Sequence, residues 1–275
     1  MRASPLHYIE LGSGPPLLLI HGLFDSLETW SKVLPLLSDR FKIVAIDLPA
    51  FGKSALPDRW TESVSGMIGA VAAFLDQKGI EKISLVGSSM GGSLALGIGE
   101  RYPERVDKIV LLNPYGLPSI PAAVAAARHF LLGPLLPYLL IKPFLRRCAK
   151  ILYRRSLYDQ TLLDEILIDR VILPYSSLRR RRDLFRFLKG ISPEEIMKID
   201  HLLPAIRRPV LILWGENDRW LSEAHLARLR SRLPQSRVIK LPSCGHLPQM
   251  EKPKEVAEAI FSHIPRGGRR SGQPP

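Results

Sequence analysis

Apolar residues are concentrated in short runs along this chain, separated by longer stretches of mixed character. Leu17–Ile20 and Val210–Trp214 are uninterrupted apolar runs, while Ile83–Val86 and Val106–Leu112 are mostly apolar. Runs of this length are typical of strands that are buried on both faces of a parallel sheet. Helices are predicted between and after these strands, over Gly91–Arg101, Ser222–Leu233 and Lys254–Phe261. We therefore predict a fold of the α/β class with a mostly parallel sheet.

About ninety residues between Val106–Leu112 and Val210–Trp214 contain no strand pattern. A structureless loop of that length is rare in a compact domain, so the interval predicts several helices. Phe144–Tyr153 is basic and amphipathic, Leu162–Leu173 has apolar residues at helical spacing, and Ser192-Pro193 is typical of a helix start. We predict a core over 1–115 and 206–265, a helical cap over 116–205, and a disordered tail over 266–275.

Five residues, Gly87-Ser88-Ser89-Met90-Gly91, fit the G-x-S-x-G pattern of a nucleophile elbow. They lie between the predicted strand Ile83–Val86 and a predicted helix, which is the context that gives the pattern chemical meaning. A serine in that turn is strained, with its hydroxyl above the sheet, and small neighbours such as Gly87 and Gly91 avoid a clash. Ser89 is therefore the candidate nucleophile, although a glycine–serine turn after a strand also occurs without catalysis.

A serine nucleophile needs a histidine as its base and a carboxylate that orients the histidine. The candidate acid is Asp218, which follows the strand Val210–Trp214 at the end where open α/β sheets place their sites. Glu216 is the alternative acid. The structural interpretation of Asp218 is a turn or helix-capping residue, since aspartate is common in such positions.

The candidate base is His246, in the loop Pro242-Ser243-Cys244-Gly245-His246 after the predicted strand Val238–Leu241. Gly245 lets the backbone turn just before it. A lone loop histidine is usually a surface residue. Here the serine, the acid and the histidine follow one another in the order that this chemistry has on such a sheet. We predict a triad of Ser89, Asp218 and His246.

The loop after Leu17–Ile20 begins with His21-Gly22-Leu23-Phe24. A loop in this place supplies a backbone N–H to an oxyanion hole, and the residue after the nucleophile supplies the second. We predict Leu23 and Met90 as the donors, with Phe24 as the alternative to Leu23. Gly22 permits a close approach to the substrate, and His21 is expected to brace the loop through hydrogen bonds.

Together these motifs resemble the α/β-hydrolase superfamily from Leu6 to Pro265, in the subgroup of monoacylglycerol lipases, small esterases and carbon–carbon bond hydrolases. Further landmarks are an opening hairpin over Tyr8–Pro16, the segment Asp47–Ser54, and Glu251-Lys252-Pro253. The resemblance implies the α/β-hydrolase fold, a mostly parallel sheet of eight strands flanked by helices, with Val106–Leu112 as its sixth strand. It also implies that the helical cap forms the acyl or side-chain pocket.

The sequence departs from this family in one turn and differs from two of its branches at the nucleophile. Ala50 stands where the family more often has glycine, so we expect the turn within Asp47–Ser54 to be slightly altered. Dehalogenases and epoxide hydrolases of the superfamily carry an aspartate at the position of Ser89, which argues against both reactions.

The composition limits which cellular compartment and which cofactors are expected for the protein. Its 275 residues include 39 Lys/Arg, 26 Asp/Glu and only two cysteines, Cys148 and Cys244. Two cysteines make no disulfide framework, the polar start is unlike a secretory signal, and no apolar run approaches the ~20 residues that span a bilayer. We expect a cytoplasmic protein. The sequence has no P-loop and no metal-ligand spacing, so we expect neither a cofactor nor a metal.

Much of the net charge of +13 falls in the predicted cap, where Arg146-Arg147, Arg154-Arg155 and Arg179–Arg182 are clustered. One interpretation is a solvated helix face. The other is a peripheral contact with anionic membrane lipids, while the apolar part of the cap receives an acyl chain. Nucleic-acid binding is disfavoured, because the clusters lack interleaved aromatic residues and a known binding motif.

Three functions remain to be compared. The leading hypothesis is a serine hydrolase that cleaves carboxylic esters with a medium or long acyl part, such as a monoacylglycerol-like lipid, through an acyl-enzyme. The alternative is hydrolysis of a carbon–carbon bond in a vinylogous diketone from aromatic degradation, with the same triad. A non-catalytic binding protein that kept the fold is the third, and a complete triad argues against it.

Overall fold

The computed structural model describes residues 6–57, 64–114, 136–139, 141–190 and 203–265. Seven strands form one sheet within them: Tyr8–Leu11 (β1), Pro16–Ile20 (β2), Lys42–Ile46 (β3), Ile83–Ser88 (β4), Val106–Leu112 (β5), Val210–Gly215 (β6) and Arg237–Leu241 (β7). The α-helices are Leu34–Leu37 (α1), Val64–Gln77 (α2), Met90–Arg101 (α3), Leu136–Leu139 (α4), Lys142–Ser156 (α5), Glu165–Ile172 (α6), Leu178–Gly190 (α7), Glu223–Arg232 (α8), Pro248–Glu251 (α9) and Pro253–His263 (α10). Short 3₁₀ turns occupy Leu27–Trp30, Pro103–Arg105, Gln160–Leu162, Leu173–Ser176 and Leu203–Ala205.

The strands lie in the order β1-β3-β2-β4-β5-β6-β7, and β2 to β7 are parallel. Alternate side chains of β2 enter two apolar clusters on opposite faces of the sheet. Leu18 and Ile20 pack in the cluster that includes α2 and α3, while Leu17 and Leu19 pack in the one that includes α1 and α10. Helices thus cover both faces, which explains why the strands appear in the sequence as apolar runs.

Two expectations about the sheet are wrong in detail. The described residues form seven strands rather than eight, and Val106–Leu112 is the fifth rather than the sixth. The opening segment is not a hairpin, because β3 lies between β1 and β2, with Tyr8 opposite Ile46. A fully apolar strand such as β2 gains most in the interior of the sheet, so the half-exposed β1 is left at the edge.

Between β5 and β6 the described residues form α4 to α7, which we call the cap helices. The amphipathic segment Phe144–Tyr153 lies in α5, as expected. The helix predicted over Leu162–Leu173 begins later, at Glu165, because the side chain of Asp164 caps it by accepting from the backbone N–H of Leu167. The predicted helix start at Ser192-Pro193 and the tail 266–275 lie outside the described residues. The bounds of the cap stay a prediction.

Two apolar clusters join the cap helices to the core. Tyr175 and Phe187 belong to the cluster of α2 and α3, while Tyr153 and Ile168 pack with Met250 of α9. None of the described helices combines the length and the apolar character needed to cross a membrane.

Candidate active site

Ser89 occupies the tight turn between β4 and α3, in a conformation that L-residues rarely adopt, with φ 52° and ψ −119°. Such a conformation costs on the order of 1–3 kcal/mol and persists only where the surroundings enforce it. A Cβ atom on Gly91 would overlap the carbonyl groups of Ile20 and His21, and one on Gly87 would overlap the carbonyl of Gly91. The glycines of the motif therefore permit the close packing that holds Ser89 in this turn.

His246 contacts both other members of the predicted triad. Its Nε2 lies 2.9 Å from Ser89 Oγ, and its Nδ1 lies 2.6 Å from Asp218 Oδ2. An ionised carboxylate can only accept, so Nδ1 carries the hydrogen and donates to Asp218. Nε2 is then left with a lone pair that faces the Ser89 hydroxyl. The structure thus brings Ser89, His246 and Asp218 together in hydrogen-bonding order.

Asp218 is held by more than its contact with the histidine. Its carboxylate also accepts from the side-chain amide of Asn113 at 2.7 Å and from two backbone N–H groups, those of Trp220 and Leu221. Burial by itself raises the pKa of Asp218, but the hydrogen bond and charge of His246, together with the two backbone donors, outweigh burial and lower it. The carboxylate is therefore charged wherever the histidine can act as a base.

Two residues near the triad in the sequence, Glu216 and Ser88, have other contacts. Glu216, the alternative acid, has an exposed side chain, and its backbone N–H donates to Leu241. The hydroxyl of Ser88, one residue before the elbow serine, lies 3.2 Å from the side-chain nitrogen of buried Gln249. The geometry favours Asp218 over Glu216, and Ser89 over Ser88.

Asn113 is a site residue that the sequence reasoning missed. It follows β5 directly, is fully buried and has φ 40°. Its side-chain nitrogen donates to Asp218, and its side-chain oxygen accepts from the backbone N–H of Gly215 at 2.9 Å. Asn113 therefore fixes the carboxylate relative to the end of β6. A polar residue directly after an apolar strand was the available signal.

The loop after β2 lies against the elbow. His21 is fully buried, with its Nδ1 2.7 Å from the Gly22 carbonyl and its Nε2 accepting from the backbone N–H of Leu48 at 2.9 Å. These are the bracing contacts expected of this side chain. A Cβ atom on Gly22 would come within 3.1 Å of Ser89 Cβ, so the loop backbone closely approaches the candidate nucleophile.

The proposed oxyanion donors belong to the start of α3 and to the loop after β2. Met90 is the first residue of α3, so its N–H has no partner within the helix and lies at the positive end of the helix dipole. Leu23 and Phe24 are half-buried in the loop after β2, and Phe24 has φ 58°. Which of the two amides would donate stays a prediction.

A buried carboxyl of the same loop meets the cap. Asp25 Oδ1 accepts from the backbone N–H of Ser26 at 2.8 Å and from the Tyr153 hydroxyl of α5 at 3.1 Å. Burial raises the pKa of Asp25 above its ordinary value, although the hydrogen bonds that the carboxyl accepts lower it in part. Burial and the nearby Asp25 raise the pKa of Tyr153 as well. No motif in the sequence indicates this pair.

The end of α5 rests on the histidine loop. The backbone N–H of His246 donates to the Ser156 carbonyl at 2.7 Å, and the indole of Trp220 donates to the Ser156 hydroxyl at 2.9 Å. Gly245 is required here because a Cβ atom would overlap the Ser156 carbonyl. The loop that carries the candidate base is therefore in direct contact with the cap.

Glu251, part of a sequence landmark to which no role was assigned, ties the same two regions together. Its carboxylate accepts from three backbone N–H groups, those of Gly245, Tyr158 and Asp159. Burial raises the pKa of Glu251, and the three donors lower it in part. The carboxylate thus joins the histidine loop to the segment that follows α5.

Half-buried apolar side chains from both regions pack against the apolar core cluster that includes α2 and α3: Leu23, Phe24 and Met90 from the core, Leu145 and Leu188 from the cap helices, and Trp220 from the loop that holds Asp218. Aromatic contacts also join the regions. Phe51 meets Phe187 of α7 edge-on, with ring centres 4.8 Å apart. The contacts between the cap helices and the core are thus largely apolar here.

Comparisons with known proteins agree with this architecture. Residues 15–253 match the family model of the alpha/beta hydrolase fold. An uncharacterized hydrolase, YugF, of Bacillus subtilis is 30% identical over 94% of this chain and 92% of its own. The 2-hydroxy-6-oxo-6-phenylhexa-2,4-dienoate hydrolase of Comamonas testosteroni is 29% identical over 91% of this chain and 87% of its own. The structure of a thermophilic esterase from Thermogutta terrifontis is similar with a TM-score of 0.77 and 25% identity, over 94% of this chain and 92% of its own.

Proposed function

The chain belongs to the α/β-hydrolase fold family, and we propose that it is a serine hydrolase that cleaves carboxylic esters with a medium or long acyl part. The observation that carries the proposal is the hydrogen-bonded series from Ser89 through His246 to Asp218, with distances of 2.9 and 2.6 Å. Nucleophile, base and orienting acid stand within reach of one another, as acyl transfer through a serine requires.

The proposed mechanism assigns each group one role. Ser89 attacks the ester carbonyl while His246 Nε2 takes its proton, and Asp218 stabilises the imidazolium that forms. The amides of Leu23 (or Phe24) and Met90 donate to the oxyanion, a contribution of about 3 kcal/mol per donor to the rate. His246 then protonates the departing alcohol. Water, activated by the same histidine, hydrolyses the acyl-enzyme and restores Ser89.

The chemistry of a serine disfavours dehalogenation and epoxide opening. Both reactions attack a saturated carbon, and attack there by Ser89 would leave an ether, which the same site cannot hydrolyse. A carboxylate nucleophile would leave an ester, which water can cleave. A carbonyl substrate, in contrast, gives Ser89 an acyl-enzyme that can turn over.

Leu145 and Leu188 of the cap helices pack against the same apolar core cluster as Leu23, Phe24 and Trp220, which supports an acyl part of some length. Each methylene that is buried contributes about 0.8 kcal/mol, which is roughly a fourfold gain in kcat/KM if the gain is realised in the transition state. We therefore expect kcat/KM to rise with acyl length until the apolar space is full.

A panel of p-nitrophenyl esters from acetate to dodecanoate tests this function, with Ser89→Ala as the background control. We expect kcat/KM to climb from acetate to about octanoate and then to level off. A preference for acetate would contradict the acyl pocket, but the protein would still be an esterase. An absence of Ser89-dependent hydrolysis of any ester would contradict the function itself.

Carbon–carbon bond hydrolysis is the second candidate, and the Comamonas relative is the specific observation that favours it. The same three residues could serve this reaction. Its products carry two carboxylates or enolates, whereas the half-buried side chains that support the acyl part are apolar. A vinylogous diketone belongs in the same assay panel. A kcat/KM for the diketone at least tenfold above that of every ester would replace the ester proposal.

A further inference from the structure

Large aliphatic side chains are exposed on the cap helices to an unusual extent. Ile151, Ile166 and Leu173 retain 59%, 63% and 68% of their accessible surface, and Phe144 retains 48%. Single exposed apolar residues are ordinary on a protein surface, but a group of them on adjoining helices indicates a binding surface. α5 and α6 adjoin, since Arg146 and Lys150 of α5 form ion pairs with Glu165 of α6.

In α5 the exposed side chains follow one helical face. Phe144, Arg147, Ile151 and Arg154 are spaced by three, four and three residues, and all four are exposed. The opposite face carries Ala149 and Tyr153, which are buried against the core. Apolar and basic residues therefore alternate along the outward face of α5.

The same alternation recurs in α6 and in Leu173, the residue that follows it. Ile166, Arg170 and Leu173 are exposed at spacings of four and three, opposite the buried Ile168 and Ile172. These three residues, with Lys142 and Leu145 of α5, line a depression of about 460 Å³. The depression connects the start of α5 to the outward face of α6. We call Phe144, Arg147, Ile151, Arg154, Ile166, Arg170 and Leu173 the outer cap face.

The charge of this region is positive and is not cancelled locally. Residues 136–190 contain thirteen Lys/Arg against five Asp/Glu. The acids are already engaged. Glu165 and Asp169 pair with Arg146, Asp183 lies 3.6 Å from Arg180, and Asp159 and Asp164 accept from backbone N–H groups. The outer cap face therefore carries a surplus of positive charge.

The arginine run Arg179–Arg182 of α7, one of the three basic clusters noted in the sequence, faces both the core and the solvent. Arg180 points to the core, where its guanidinium donates to the carbonyls of Ser54 at 2.5 Å and Gly52 at 2.9 Å. Arg179 and Arg182 are exposed. Replacing the whole run would disturb the attachment of the cap, so the run is a poor test of surface binding.

We propose that the outer cap face docks on an anionic lipid surface. Its aliphatic side chains enter the boundary between headgroups and acyl chains, and its arginines contact the headgroup phosphates. Protruding aliphatic side chains suit a lipid boundary. A second copy of the chain would bring like charges together, and single-stranded nucleic acid is bound by stacking on aromatic rings, whereas this face alternates arginine with mainly aliphatic side chains.

Docking by this face would extend the proposed function to esters held in a membrane, and this part of the inference rests on that function. α5 ends at Ser156, whose carbonyl accepts from the backbone N–H of His246, so a docked cap would hold the candidate site close to the lipid. An ester that resides in a membrane would then reach Ser89 without crossing bulk water. Docking itself requires no catalysis, and the two can be measured separately.

The test is co-sedimentation of the full chain with phosphatidylcholine vesicles, with and without about a third of phosphatidylglycerol. We expect binding to the anionic vesicles, weak binding to the neutral ones, and loss of binding as NaCl is raised from about 0.1 to 0.5 M. The triple variant Arg147→Gln/Arg154→Gln/Arg170→Gln should bind at least tenfold more weakly. The double variant Ile166→Ser/Leu173→Ser should also lose at least tenfold, with the charge unchanged.

Two control variants test whether a loss of binding is specific to this face or follows from the protein's overall charge and exposed apolar surface. Arg207→Gln/Arg230→Gln/Lys254→Gln removes the same charge from exposed positions of the core, and Leu11→Ser removes an exposed leucine of β1. Both should bind nearly as well as the unchanged protein. Hydrolysis of soluble p-nitrophenyl butyrate and the thermal midpoint should stay the same in all four variants, which shows that they fold.

Three results would overturn docking by this face: no vesicle binding, binding that ignores lipid charge and salt, or equal losses in the core and cap variants. If vesicles bind as expected but no ester is hydrolysed, the proposed function fails and docking stands. If esters are hydrolysed while vesicles are not bound, the reverse holds.

Discussion

The triad loops and the cap helices differ in how fully their side chains are held by hydrogen bonds and packing. On the core side, Asp218 alone has four hydrogen-bond donors, and Ser89 is held in a strained turn by close backbone packing. On the cap side, α5 and α6 leave apolar residues such as Ile151 and Ile166 in solvent. We therefore expect the geometry of proton transfer to depend on the sheet, and the proposed choice of substrate and lipid surface to depend mainly on the cap. Substitutions in the two regions should affect different measured quantities.

Ser89→Ala should have the largest effect of any single substitution in the core. We expect kcat for the best ester to fall on the order of 10⁶-fold with the fold intact, because no acyl-enzyme can form. Steady-state kinetics and a thermal melt measure the two quantities. Ser88→Ala is the matched control, and a comparable loss there would move the nucleophile to Ser88.

Asp218→Asn should reduce kcat by about 10⁴-fold, since an amide in this place favours the wrong histidine tautomer. The pKa of Asp218 is lowered in the folded protein, so its charge contributes stability that is present above the unfolded-state pKa and lost as the pH falls through the folded-state value. Glu216→Gln should leave kcat nearly unchanged. Near-normal activity in Asp218→Asn, with a large loss in Glu216→Gln, would assign the acid role to Glu216.

Asn113→Ala tests how far the support around the triad matters, because Asn113 donates to Asp218 and takes no part in proton transfer itself. We expect kcat to fall roughly 10–100-fold as the carboxylate loses one constraint on its position. The backbone N–H of Gly215 would be left buried without its acceptor, which costs about 1–3 kcal/mol of stability. Asn217→Ala, in an exposed position of the adjacent loop, is the control. Unchanged kinetics in Asn113→Ala would show that the remaining donors suffice to position Asp218.

Asp25→Asn should have the smallest effect, at the junction of the two regions. The amide oxygen can still accept from Ser26 and Tyr153, while the buried charge is removed. The folded-state pKa of Asp25 is raised, so the stability it contributes is present below the unfolded-state pKa and lost as the pH rises through the folded-state value. Asn at this position should therefore stabilise the protein at neutral pH, on the order of 1 kcal/mol.

Thermal melts between pH 4 and 8 check this prediction. The gain in stability of Asp25→Asn should shrink as the pH falls toward the ordinary pKa of aspartate, where both side chains are neutral. A destabilisation that is the same at every pH would mean that the carboxylate is charged and needed as an acceptor in the folded protein.

The core site could be predicted because its signals are local. Ser89 follows β4 directly, Asp218 lies three residues after β6 and His246 five residues after β7, and the ends of parallel strands meet at one edge of the sheet. The supporting contacts have no local signal. Asn113 meets Asp218 across 105 positions of the chain, and Tyr153 meets Asp25 across 128. Such pairs follow from the strand order and from the docking of α5, which no single segment encodes.

Ala50 is the position at which a turn of this chain departs from the family's usual sequence. Where the family more often has glycine, Ala50 adopts φ 73° and is fully buried. An alanine in the left-handed region costs about 1 kcal/mol. Ala50 thus holds a backbone conformation that favours glycine, at a small cost in stability.

Covalent labelling tests the role of Ser89 most directly. A fluorophosphonate phosphonylates a serine only where a base activates it and donors hold the resulting oxyanion, so the label marks the working nucleophile. Peptide mapping by mass spectrometry after labelling should locate the phosphonyl group on Ser89, and the Ser89→Ala protein should stay unlabelled. A label on Ser88 or on any other residue, or an unlabelled protein that still hydrolyses esters, would contradict the proposed mechanism.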